Sequence, residues 1–189
     1  MVKQDFVKTR ALIFLDNVRL SFPSIWQKKV WQGAKNDPKF EATFILNKDK
    51  HAKEITKIKD EIDYLLKNNN LKIISKKNHF FKDGDADIDG VEKKEEYKNS
   101  YTVKTSSYTK IDIINKNKTP VLESDDLIYG GCFVNAWIEL KPFRNLEQGI
   151  NATIKTIQYR SAGERFGGGL SVNYDEIPFI EDEQDDEDF

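Results

Sequence analysis

Between residues 19 and 40 the chain interleaves rings with cations: Arg19, Phe22, Trp26, Lys28, Lys29, Trp31, Lys35, Lys39 and Phe40. A second set nearer the C-terminus repeats the combination: Lys141, Phe143, Arg144, Tyr159, Arg160, Arg165 and Phe166. Residues of these types, in this mixture, suit an unpaired polynucleotide. Cations follow the phosphates, and exposed rings stack on bases at about 1–3 kcal/mol per base without reading sequence. The candidate stacking residues are Trp26, Trp31, Phe143 and Tyr159. The candidate phosphate contacts are Lys28, Lys29, Lys39, Arg144, Arg160 and Arg165. A plainer reading makes the same rings lids over the ends of a β-barrel and the same cations a solvated face.

Other chemistry finds less support. Asp85, Asp87, Asp89, Gly90 and Glu96 fit the D-x-D-x-D-G-x5-E spacing of a calcium loop. Glu92 stands where that loop carries an apolar residue, and neither a preceding amphipathic helix nor a second copy accompanies it. The stretch reads as a charged surface loop. The two histidines, His51 and His79, are not at metal-ligand spacing from Cys132. GERFGGG at 163–169 lacks the Lys-Ser/Thr of a phosphate loop. No nucleophile–base set stands out, so neither an enzyme nor a cofactor is expected. A metal-dependent nuclease is a third-ranked alternative, resting only on the abundance of carboxylates.

Charge is segregated along the chain. Of 32 acidic residues nine lie in 175–189, DEIPFIEDEQDDEDF, which has no Lys or Arg; the remaining 23 face 30 bases in residues 1–174, a formal +7. A basic body with an acidic appendage fits a polyanion-binding surface and a segment that can occupy it. Asp185, Asp186, Glu187, Asp188 and the terminal Phe189 are the candidate partner-docking residues of that tail. The expected domains are therefore 1–174 and a disordered tail, 175–189.

The elements that must position these residues are mostly strands. Alternation marks strands over 10–22, 39–46, 100–108, 131–143 and 149–159, with shorter ones over 71–75 and 111–114. Asp16-Asn17 interrupts the first as a bulge. Pro23, Gly33 and Pro38 mark 23–38 as a loop. In the last two long strands Cys132, Val134, Ala136, Ile138 and Leu140 share one face, as do Ile150, Ala152, Ile154 and Thr156. Ile55, Ile58, Ile62, Leu65 and Leu66 recur at helical spacing over 50–67, with Asp49 as N-cap and Asn68–Asn70 as the stop. Residues 161–170 are glycine-rich and expected to be mobile. The order of elements predicts a mainly β protein, a small barrel with one inserted helix. One cysteine excludes an internal disulfide, and no apolar run approaches the ~20 residues that cross a bilayer. A cytoplasmic protein without membrane contact is expected, and an exposed barrel edge could pair two copies.

Read together, VRLSFPSIW (18–26), PKFEATFIL (38–46), DGD (83–85), YGGCFVNAWIEL (129–140), GINATIKTIQ (149–158) and GERFGGG (163–169), followed by the acidic tail, form an ordered set. The set resembles the single-stranded-DNA-binding proteins of tailed bacteriophages. That resemblance implies an OB-like barrel and non-catalytic, sequence-tolerant binding of single strands in phage replication, recombination or repair, in the host cell cytoplasm. It also implies that the tail competes with DNA and recruits replication or recombination proteins. The alternative is an interaction or DNA-mimic protein acting through its tail, with no DNA groove.

Overall fold

The chain is described by a computed structural model covering residues 6–30, 37–73, 75–145 and 147–166. Trp31, Lys35, Gly167–Gly169 and the whole of 175–189 lie outside those residues.

The first strand, β1, runs Ile13–Lys29 and so replaces both the expected strand and much of the expected loop. Pro23 does not end it, because its ladder with β2 (Lys39–Asn47) shifts register between Ser21 and Ser24, passing over Phe22 and Pro23. A proline in a bulge forfeits no ladder hydrogen bond. The bulge expected at Asp16-Asn17 is present: pairing skips from Leu15 to Val18 and Asn17 takes φ 49°. Buried Asn135 holds it, accepting the Asn17 N–H at 3.0 Å on Oδ1 and donating from Nδ2 to Gln158.

After β2, the Asn47 side chain accepts the N–H groups of Asp49 and Lys50 and so makes the turn into α1 (Ala52–Asn68). The N-cap is therefore His51, not Asp49. Ile55, Ile58, Ile62 and Leu65 bury the expected stripe, and Asn70 leaves the helix at φ 50°. Residues 71–73 are irregular rather than extended, since the Leu71 N–H is spent on the Leu66 carbonyl at the helix end. A strand that the sequence does not announce, β3 (Phe81–Asp83), follows and pairs with β4 (Ser100–Ser107). Then come β5 (Asp112–Ile114), β6 (Phe133–Arg144) and β7 (Gln148–Ser161). In β7 a shift in register opposite Trp137 and Ile138 makes Lys155 an extra residue. Ile157, rather than Thr156, consequently points into the core.

β1, β2, β4, β7 and β6 pair in that order and β6 returns to β1, closing a five-stranded barrel. Only the β4–β7 pair within it is parallel. Numbered by themselves the barrel strands run 1-2-3-5-4-1, the OB-like arrangement, with α1 between the second and third. Its interior is Leu15, Val18, Leu20, Phe44, Leu46, Val103, Val134, Ile138, Leu140, Ile154 and Ile157, each at most 1% exposed. α1 packs against β1, β2, β6 and β7. Among the described residues no helix is long and apolar enough to cross a membrane.

Candidate nucleic-acid interface

Two groups of rings and cations occupy the surface of β1 and its neighbours. The first lies where β1 and β2 end together, with Lys29 opposite Lys39. Trp26 is half-buried against the core and, with Phe40, lines a groove of about 670 Å³. Ile111, Ile113, Val121 and Leu122 supply its apolar wall, and Lys110 stands beside them. The Lys28 ammonium sits 5.7 Å from the Phe40 ring centre, and that of Lys39 sits 5.0 Å from Tyr108, a ring 54% exposed. Trp26 and Phe40 thus pack on the core while keeping a surface toward the groove. The lid reading and the binding reading of these residues are compatible.

The second group is built by two glycine-bearing motifs that meet in space. The Phe166 N–H donates to the Gly130 carbonyl, and the Tyr129 hydroxyl donates to the Gly163 carbonyl at 3.0 Å. Gly131 has φ 114°, and a Cβ there would collide with the Glu164 carbonyl; one on Gly163 would collide with the Gly131 carbonyl. Only glycine lets the backbones approach this closely. The 162–166 segment, expected to be mobile, is thereby held against β1. Arg19 fastens it, donating from Nη2 to the Glu164 carbonyl at 2.8 Å, with its guanidinium 4.2 Å from the Phe166 ring and 5.9 Å from that of Phe133. Arg165 lies 3.9 Å over Tyr129 and pairs with Asp126 at 2.6 Å. The strip continues past Gly130 to Phe22, 54% exposed, whose ring lies 3.7 Å below the Lys94 ammonium.

In OB folds generally, oligonucleotides lie on barrel strands 2 and 3 and on the 1–2 and 4–5 loops. Here that face is the outside of β2 and β4, and the segment between β3 and β4 folds back over it. The Tyr97 hydroxyl reaches Ser21 on β1 at 3.1 Å, and Ile88 and Val91 share a 170 Å³ pocket with Thr43, Thr102 and Lys104. Lys48 anchors this segment through Asp83 and Asp85, at 2.7 and 2.8 Å, hydrogen bonds that raise the ammonium's pKa. Asp85 is thus committed to Lys48 and to the Asn99 N–H, while the Asp87 side chain is 96% exposed. Beside the pocket, Lys82 has its pKa lowered by burial and then by the like charges of Lys104 and Lys77. A bound anion would relieve that crowding.

The remaining candidates separate along the β6–β7 hairpin. Tyr159, opposite Val134, and Arg160, 4.0 Å from Asp16, stand at the same end as Arg165. Phe143, opposite Gly149, stands ten residues away from Tyr159 along β7, about 33 Å at the usual rise. Arg144 donates there to the carbonyls of Asn69 and Asn70 at 3.0 and 2.8 Å, tying the hairpin tip to the end of α1. Phe143 lines a small crevice with His79. The structure therefore gathers Trp26, Lys28, Lys29 and Lys39 at one place and Tyr159, Arg160 and Arg165 at another, leaving Phe143 and Arg144 apart.

Residues 11–189 match the family described as Enterobacter phage Enc34, ssDNA-binding protein. The chain belongs to this Enc34 family. A curated relative, "Putative protein p50" of Acyrthosiphon pisum secondary endosymbiont phage 1, is 27% identical over 91% of this chain and 97% of its own length. A solved structure of the single-stranded DNA-binding protein from bacteriophage Enc34 is 26% identical with a TM-score of 0.70, covering 86% of this chain and 87% of that one. Another, of the Enc34 protein in complex with ssDNA, superposes with a TM-score of 0.72 at 24% identity over 87% of this chain and 99% of that one.

Within the Enc34-family frame, the ring and cation pairs include members the sequence did not put forward. Lys94, Tyr108, Tyr129 and Phe133 lie outside the two interleaved stretches singled out in the sequence, and the fold sets Lys94 beside Phe22, Tyr108 beside Lys39, Phe133 beside Arg19 and Tyr129 beside Arg165. Phe22 and Phe166 carried a signal, since each lies in an interleaved stretch.

Proposed function

We propose that this Enc34-family chain binds single-stranded DNA without catalysis and without sequence preference, along the surface of β1. The observation that carries the reading is a set of partly exposed rings near β1, each with a cation over it: Phe40 with Lys28, Tyr108 with Lys39, Phe166 with Arg19, Phe22 with Lys94 and Tyr129 with Arg165. A strand laid along them meets stacking surfaces and phosphate partners together. Family membership and the likeness to the Enc34 single-strand binder support the same reading.

In this reading Trp26, Trp31 and Tyr159 stack on bases, and Lys28, Lys29, Lys39, Arg160 and Arg165 meet phosphates. Residues 1–174 form the binding domain. The tail from Asp175, ending in Asp185, Asp186, Glu187, Asp188 and Phe189, competes for the groove and recruits proteins of phage replication, recombination or repair. The test is titration of a labelled oligo-dT across a salt series. Tight binding that falls steeply with salt is expected; failure to bind at low salt overturns the reading and leaves the tail-only alternative.

A further inference from the structure

Phe22 combines three features that do not normally coincide. It is a large apolar side chain left 54% exposed, it takes φ 44°, and a lysine ammonium lies 3.7 Å from its ring centre. A bulky residue at positive φ is an outlier. Such strain persists where surrounding structure over-determines it, and it clusters at ligand-contacting sites. Core packing does not account for it, because the ring points outward at a bulge where asparagine or glycine would sit without strain. Its neighbours are those of a ligand platform: Gly130 packs without a side chain against the Phe22 backbone and Pro23 on one side, Phe166 and Arg19 continue the strip, and Lys94 and Tyr97 flank it on the other.

We infer that the bulge at Ser21–Ser24 holds Phe22 in a strained conformation as a base-stacking platform, with Lys94 covering the ring in the free protein and moving to a phosphate when a base replaces it. The inference rests on the single-strand reading above and adds a subsite at which stacking, not charge, decides the affinity. Lys94 belongs to the segment between β3 and β4, which the Tyr97–Ser21 and Lys48–Asp85 contacts hold in place while its ammonium moves.

The experiment compares the full chain with Phe22→Asn and Phe22→Trp, on labelled oligo-dT and on an abasic oligomer of equal length. Asparagine tolerates positive φ, so Phe22→Asn should leave the thermal midpoint unchanged or raise it. It should weaken oligo-dT binding about tenfold, the low end of what stacking on one base contributes. On the abasic oligomer the two proteins should bind equally. Phe22→Trp should keep the affinity for oligo-dT. If the parent chain binds oligo-dT and Phe22→Asn binds it equally well, the subsite is wrong while the single-strand reading stands. An equal loss on both oligomers, or a lowered midpoint with loss of binding in Phe22→Trp as well, makes the ring structural and overturns the inference. If the parent chain binds neither oligomer, both the reading and the subsite fall.

Discussion

A ring beside a cation serves the fold or a ligand according to which side of it is covered. Trp26 is the ambiguous case: one side packs on the core and the other lines the groove shared with Phe40. Replacing Trp26 and Trp31 together with Ala is expected to weaken oligo-dT binding at least about tenfold, or ~1.4 kcal/mol. Circular dichroism would establish that the fold survives, and unchanged affinity in the folded variant would remove both from the interface. Arg144 is committed instead to two backbone carbonyls at the end of α1. Arg144→Ala should lower unfolding free energy by about 1 kcal/mol and leave the salt dependence of DNA binding as it was. A shallower salt slope in a titration would return Arg144 to the phosphates.

Two elements control how the surface is presented. The turn at Tyr129–Gly131 and the segment Gly163–Phe166 form one unit only because their backbones touch. Gly131→Ala is therefore expected to cost at least about 2 kcal/mol and to free Phe166 and Arg19; urea unfolding together with oligo-dT affinity would register both effects. His79, which bonds to Phe81 and shares a crevice with Phe143 of the β6–β7 hairpin, is pH-sensitive. Burial holds the His79 imidazole below its ordinary pKa of 6.5, against the opposing effect of the bond to the Phe81 carbonyl. Folding favours the neutral ring, so this contribution is complete above about pH 6.5 and is lost as pH falls through that value toward the folded pKa. Glu61 and Glu139, whose pKa values are lowered, lose their contributions only below the ordinary carboxylate range. The urea midpoint should thus fall between pH 7 and pH 5, and His79→Gln should remove part of that fall.

For the whole molecule, the governing quantity is charge: +7 on residues 1–174 against nine carboxylates beyond them. If the tail competes for the DNA surface, a chain ending at Tyr174 binds oligo-dT more tightly than the full chain, with the largest difference at low salt. Equal affinities across the salt series would separate the tail from the groove.

The elements were largely legible because period-two and period-3.6 patterns are local: β2, α1, β4, β6 and β7 stand within a few residues of where alternation puts them. The bulge at Asn17 was legible too, from a polar pair inside an apolar run. Pro23 misled, because a strand tolerates proline wherever its ladder skips a residue, and the skip depends on the partner strand. β3 and the inward turn of Ile157 were hidden for the same reason, since both depend on pairing register. At the candidate site the sequence supplied the residue types, the charge segregation and the family motifs. Barrel closure decided which of them meet. It set Lys94 over Phe22 and Arg19 over Phe166, and it left Phe143 and Arg144 at the far end of their hairpin. Chemistry belongs to single residues, whereas adjacency across strands belongs to the closed sheet.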